Sequence, residues 1–283
     1  MLAGIGSCRA WALAFVPGGH RLRSWLAALL GAGPTLALAT GALAQCYPIA
    51  EGPRDPSGAR LQLAALPAAG SVRLTYLGHS SFLIESPEGA TAITDYNGYL
   101  RAPAPPAIVT MNNAHETHYT DFVEPGVQHI LRGWDPGGGV AQHDQVHLDM
   151  RVRNIPTNVR EWSGTRVNGN SIFVFEVADL CIAHLGHLHH TLTDVHLGEL
   201  GMIDVLMVPV DGSFTIAQEL MLEVIDQIGA PLLIPMHYFS QQRLARFLGL
   251  LSERYEAVFS DTPTVTLSRL TLPHRKILVF PGG

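Results

Sequence analysis

Residues 109–121 read VTMNNAHETHYTD. An apolar run, Ala107 to Met111, follows a Pro-rich turn and reads as a short buried strand. It gives way to polar residues that include two imidazoles, His115 and His118. Loops just beyond strand ends are where α/β folds collect their ligands. The reading of this stretch therefore turns on whether other strand ends carry matching groups.

Two of them do. SIFVFEVADLCIAHL reads as a hairpin turning at Ala178-Asp179, and His184, His187, His189 and His190 crowd its end. PLLIPMHYF is an apolar strand that ends in His237. Residues far apart in sequence converge when their strands share an edge. Zinc takes three or four such ligands, and neutral imidazole is its commonest nitrogen donor.

The rest of the chain supplies the frame. VRLTYLGHSSFLIES reads as two short strands, ATAITDYNG as a third ending at Asp95, and VQHILRG as another. VHLDMRVRNIP gives one or two more. From there strands alternate with helices: a helix over Leu192 to Gly201, the strand IDVLMVPV, and a helix near Ile216–Ile228. Leu244 to Ser252 is helical, and TVTLSRL and KILVF close the chain as strands. Strands dominate the first half and strand–helix–strand units the second, which predicts one domain of mixed α/β type.

Composition agrees with a globular chain. Of 283 residues 47% are hydrophobic and 15% charged, and the formal net charge is −6. The basic residues are scattered, with no stripe to suit a nucleic acid. Residues 1–44 stand apart: they hold Arg9, Arg21 and Arg23, no acidic residue, and the run WLAALLGAGPTLALATGALA ending in Ala42-Leu43-Ala44. That is the pattern of a cleaved secretory signal, and it predicts a periplasmic or secreted protein with no membrane span after cleavage. An N-terminal anchor, or a lipoprotein modified at Cys46, is the weaker reading, because Gln45 stands where a small residue is wanted. Residues 45–70, rich in Pro, Gly and Ala, read as a linker or arm, and 71–283 as the domain. Beyond the signal only Cys46 and Cys181 remain, too few for a disulfide framework. Cys181 reads as a small buried hydrophobe.

These segments together carry a resemblance. VTMNNAHETHYTD resembles the first motif of the metallo-β-lactamase superfamily, T-x-x-His-x-His-x-Asp-His. LTYLGHSSFLIES followed by AITDY is similar to the opening strands of its ascorbate-6-phosphate-lactonase-like branch, and IPMHY to the late strand ending in a metal-binding histidine. The resemblance runs from about Val72 to Phe280. It implies a four-layer αββα sandwich, two mixed sheets face to face with helices outside.

The motif is also edited. Asn113 and Thr117 stand at two ligand positions of the first motif. His187, in Gly186-His187, takes the place of the bridging carboxylate. A histidine expected after RVRNIP is missing, and Thr157, Asn158, Val159 and Arg160 occupy that region. By the resemblance, the first metal position keeps only His115, whereas the second keeps His118, His187 and His237. A two-metal site thereby reduces to one tri-histidine site, most simply for one zinc ion, with manganese or iron as alternatives. Such an ion acidifies a water to a pKa of about 7.

The implied function is metal-dependent hydrolysis of a small-molecule ester, lactone, amide or phosphodiester. His115 serves as an alternative ligand or proton acceptor, and Asn113 or His115 as a stabiliser of developing charge. Asp95 reads either as a support for a ligand imidazole or as a turn cap before Asn97-Gly98. His79 reads as structural or as a neighbour of the ligands, and His184 as such a neighbour. Asn158 and Arg160 read as binders of an anionic substrate group or as fillers of the vacated position. His189 and His190 read as pocket wall or helix entry, and Asp211 in VDGS as a turn residue. Two other functions stay open on the sequence: an inactive ligand-binding protein that uses the cleft without metal, and a metal-dependent oxidoreductase. LGHSSF lacks the Gly-x-Ser-x-Gly elbow, no phosphate-binding glycine loop is present, and Cys181 shows no sign of being a nucleophile.

Overall fold

The computed structural model describes residues 67–113 and 115–282. The signal segment 1–44 and most of the arm 45–70 lie outside the described residues. Fourteen strands and three helices are named among the described residues. The strands are β1 (Ser71–Gly78), β2 (Ser81–Glu85), β3 (Thr91–Ile93), β4 (Ile108–Met111), β5 (His129–Arg132), β6 (Asp144–His147) and β7 (Met150–Glu161). They continue as β8 (Gly164–Val177), β9 (Leu180–His184), β10 (Val205–Pro209), β11 (Leu232–Met236), β12 (Glu256–Phe259), β13 (Thr264–Ser268) and β14 (Lys276–Val279). The helices are α1 (Asp194–Leu200), α2 (Gln218–Ile228) and α3 (Gln241–Leu251).

The strands form two sheets. The first runs β13-β1-β2-β3-β4-β5 and the second β12-β14-β11-β10-β9-β8-β7-β6. β12 was not foreseen, because Glu256–Phe259 is a short, half-exposed strand at the edge of its sheet. The hairpin at Ala178-Asp179 forms as expected: both residues take positive φ, 51° and 58°, as a tight two-residue turn requires.

The central strands read as unbroken apolar runs because both of their faces are covered. Along β10, Leu206 and Val208 face the helices while Val205 and Met207 face the other sheet. Between the sheets, Leu74, Phe82 and Ile84 meet Phe173, Phe175 and Met207. Each such side chain contributes about 1.5–3 kcal/mol on burial. Met221, Val224 and Ile225 of α2 and Leu244, Phe247 and Leu251 of α3 cover the outer face of the second sheet. The outer face of the first sheet is covered differently. Leu83, Ile93, Val109 and Met111 lie under Tyr119, Val123 and Trp134, which belong to loop segments rather than to a helix.

The pairing directions decide where the chemistry gathers. β9, β10 and β11 are mutually parallel, and so are β3 and β4. Parallel neighbours need crossovers, which α1 and α2 supply. α1 starts on a capping box in which His196 stands where Glu is usual: Thr193 Oγ1 accepts from the His196 N–H, and His196 Nδ1 accepts from the Thr193 N–H. At its other end Arg153, paired with buried Glu176 at 2.8 Å, donates to the carbonyls of Glu199 and Leu200. Because the strands run the same way, their C-terminal ends share an edge. Asp95, His115 and His118 follow β3 and β4, His187 and Asp211 follow β9 and β10, and His237 follows β11 directly. Cys181 is buried, as expected, but is disulfide-bonded rather than a free thiol.

Candidate functional site

At that edge six histidine rings lie in one cluster. The rings of His118 and His237 stack 5.0 Å apart and nearly parallel. His187 approaches both edge-on, at 4.8 and 5.1 Å. His79 lies 4.3 Å from His237 and 5.5 Å from His118. His115 stands at the exposed lip, 5.9 Å from His118 and 6.0 Å from His187, and His189 lies behind His187 at 4.8 Å.

Two carboxylates hold the central pair. His118 Nδ1 lies 2.7 Å from Asp95 Oδ2, and His237 Nδ1 lies 3.1 Å from Asp211 Oδ1, all within the protein interior. A carboxylate accepts only, so each Nδ1 carries the hydrogen and each Nε2 presents its lone pair. Those two Nε2 atoms face each other at 3.2 Å. Two lone pairs at that distance repel unless a cation lies between them, either a shared proton or a metal ion. Two nitrogens bound about 2.0–2.1 Å from a tetrahedral ion stand about 3.3 Å apart, so the spacing fits a metal.

The carboxylates are fixed in turn. Burial alone would raise both, but their partners reverse that and hold each well below the usual carboxylate range: His118, then His184 and the Asn112 N–H for Asp95, and His237 and Thr215 for Asp211. Asp211 Oδ2 also accepts from the N–H groups of Ser213, Phe214 and Thr215. Asp211 is thus both the turn residue expected and the residue that orients His237, a role the sequence reading missed. Its signal was positional. Pro209 of β10 pairs with Met236 of β11, so Asp211 lies just past one strand end and His237 at the next.

The surrounding imidazoles are kept neutral. Burial, then the charges of neighbouring imidazoles, lowers His79 to about 3 and His187 to about 2. Burial, then Arg160, lowers His189 to about 4. Neutral rings are what a metal requires. Strain gathers here too. His79, Asp95 and His237 all take left-handed backbone, with φ of 53°, 45° and 53°, at a cost of order 1–3 kcal/mol each.

The other predicted residues take varied places. His184 is fully buried beneath the cluster; its Nε2 donates to the Ser80 carbonyl at 2.8 Å and its Nδ1 accepts from Asn112 Nδ2 at 3.1 Å. Asn113 is buried, and its Oδ1 accepts from Arg166 Nη2. Thr117 Oγ1 is 3.0 Å from His115 Nδ1. His190 Nδ1 donates to the Thr191 carbonyl, and its Nε2 accepts from the Asn158 N–H. The Asn158 Oδ1 accepts from the Asn168 N–H, within the β7–β8 hairpin, while Arg160 lies exposed on it. Asn112 and Asn170 were not foreseen. Asn170 Oδ1 accepts from the His187 N–H at 3.0 Å and so fixes the turn that carries that ring.

Asp95→Asn tests the tautomer argument. Asn tolerates the left-handed backbone and keeps an acceptor for Asn112, but it turns an N–H toward His118 Nδ1. His118 must then carry its hydrogen on Nε2 and lose the lone pair facing His237. Zinc or cobalt affinity, measured by calorimetric titration, is expected to fall about 10–100-fold. Unchanged affinity would show that this carboxylate does not set the ring's tautomer.

Comparison with known proteins places this geometry in a family. A family profile described as a beta-lactamase superfamily domain matches residues 73–237. A Methanoculleus marisnigri protein named UPF0173 metal-dependent hydrolase is 26% identical over 227 residues, covering 74% of this chain and 98% of that protein. A Methanospirillum hungatei protein of the same name is 26% identical over 196 residues, covering 59% and 83%. Among solved structures, a proposed Zn-dependent hydrolase of the metallo-beta-lactamase superfamily from Thermotoga maritima is 29% identical, with a TM-score of 0.53, covering 74% of this chain and 98% of that one. With the profile spanning more than half of its length, including all six clustered histidines, the chain belongs to the beta-lactamase superfamily.

Proposed function

We propose that this chain is an exported metal-dependent hydrolase, with one zinc ion held at the imidazole cluster and a small-molecule ester, lactone, amide or phosphodiester as substrate. One observation carries the reading: the Nε2 atoms of His118 and His237 stand 3.2 Å apart, each ring tied through Nδ1 to a buried carboxylate. His187 is the third ligand in this reading, standing where its superfamily resemblance puts a carboxylate. The superfamily and the metal-dependent hydrolases similar to the chain support the reaction class. The ascorbate-6-phosphate-lactonase-like branch is the place we assign it, with an edited ligand motif. Export rests on the N-terminal pattern. Among the described residues no helix is long and apolar enough to cross a membrane.

A bound metal ion supplies Lewis acidity, which acidifies a water and polarises the scissile group. The chain's own residues do the rest. Asp95 and Asp211 hold two rings in one tautomer and orientation. His115, exposed at the lip, accepts the proton of the attacking water and passes it to solvent. Phe239 lies against His79 and His237, at 5.5 and 5.3 Å, and Phe214 meets it edge-on at 5.5 Å. Both are more than 60% exposed, so they form an apolar wall at the mouth for the substrate's carbon skeleton.

Metal content decides the matter. Protein purified from its native compartment is expected to hold about one equivalent of zinc, or of manganese or iron, by elemental analysis. A chelator should lower Tm by about 5–10 °C, the effect of losing a ligand present at roughly 100 times its Kd. Two equivalents would overturn the single-ion reading. No metal and no Tm shift would mean that His118 and His237 share a proton, and the chain would then be the metal-free binding protein.

A further inference from the structure

We propose that His79 is a direct ligand of the metal ion, alongside His118 and His237. This rests on the metal reading above and adds a residue to it.

Three observations point to His79. The first is convergence: among the described residues, one nitrogen each of His79, His118 and His237 lies within 4.8 Å of the other two. The second is an unanswered polar atom. His79 Nε2 is buried without a hydrogen-bond partner; His189 Nδ1 is too, but the His189 ring is pinned through Nε2 to His187 Nδ1. A buried unsatisfied nitrogen costs about 1–3 kcal/mol, and a bound ion removes that cost.

The third is the backbone. His79 fills the turn between β1 and β2 in left-handed conformation, φ 53°, a place that would suit glycine or asparagine better. Its carbonyl accepts from the His237 N–H at 2.9 Å and from Tyr76 Oη at 3.2 Å. The turn that carries His79 is therefore bolted to the turn that carries His237, itself left-handed at φ 53°. Two strained turns locked to each other hold two rings 4.3 Å apart. Strain kept in this way is the mark of a position built for its side chain.

The surroundings leave room for this ligand. Thr117, at a ligand position of the resemblance, has its hydroxyl on His115 Nδ1 at 3.0 Å. His187 has Nδ1 on His189 Nε2 at 2.7 Å. His79 supplies a nitrogen donor that Thr117 does not.

The test uses cobalt as the probe, because its visible spectrum reports the donor set. His79→Asn and His79→Gly both suit a left-handed backbone, so the fold persists; far-UV spectra and Tm of the metal-free proteins check this. Wild type should bind about one equivalent of cobalt. Both variants should bind at least about 10-fold more weakly and show a changed visible spectrum. Free imidazole added to His79→Gly should restore the wild-type spectrum by filling the hole, which it would not do for a residue that only shapes the turn. Wild-type affinity and spectrum in both variants would overturn the assignment of His79 and leave the metal reading intact. Weakened binding with an unchanged spectrum and no imidazole rescue would reduce His79 to a turn-shaping role and overturn the proposal. No cobalt on wild type would overturn both.

Discussion

His237→Asn is expected to lose the metal and keep the fold. The variant should bind zinc at least about 100-fold more weakly, since loss of a ligand exceeds the 10–100-fold cost of losing a ligand's partner. Once a substrate is identified, kcat/KM should fall by about 10³, the equivalent of several kcal/mol of Lewis-acid stabilisation. The fold survives for a local reason. Asp211, which loses the imidazole, still accepts from three backbone N–H groups and from Thr215 Oγ1, so its buried charge is not orphaned. Asn also accepts the left-handed backbone at 237. The metal-free variant and the metal-free wild type should therefore melt within a few degrees of each other. Elemental analysis and paired melting curves check both halves. A variant that retained its metal would remove His237 from the site.

Gly186→Ala should be the most damaging single-methyl change near the site. Gly186 takes φ +57°, and a Cβ there would lie 2.6 Å from Asn112 Cβ and 2.8 Å from its Cγ. Asn112 cannot step aside, because its Nδ2 donates to the Ser171 carbonyl at 2.9 Å and to His184 Nδ1 at 3.1 Å. Left-handed strain of about 1–2 kcal/mol adds to overpacking of about 1–3 kcal/mol. The sum is about 2–5 kcal/mol, or a Tm drop of roughly 5–15 °C for a domain of this size. Gly229→Ala is the control: it shares the left-handed backbone, φ +67°, but a Cβ there meets nothing within 4 Å. It should show the strain alone. Equal melting of the two variants would mean that Asn112 yields and the clash is not felt.

Much of the scaffold was legible in the chain. The apolar runs of β9, β10 and β11 are buried on both faces, so composition alone marks them as central strands. Alternation marked β1, and turn residues marked the hairpin between β8 and β9. Edge elements such as β12 were not legible, because a short half-exposed strand has no distinctive period.

The site was legible only in part. Each histidine could be placed at a strand end, but not its partner. Asp211 looked like a turn residue because locally it is one; its link to His237 exists only across the β10–β11 pair. His79 looked structural because its ring meets residues 39 and 158 positions away, and sequence spacing says nothing about such contacts.

Sequence alone therefore determined the mixed α/β class and the strand ends that carry imidazoles. These follow from local rules, the period of burial along a strand and the residue types at its end. Tertiary structure alone decided which nitrogens meet, which tautomers they hold and which carboxylates fix them. Those properties depend on how parallel strands of two sheets bring their ends to a common edge, with distances set by packing between residues that are remote in the chain.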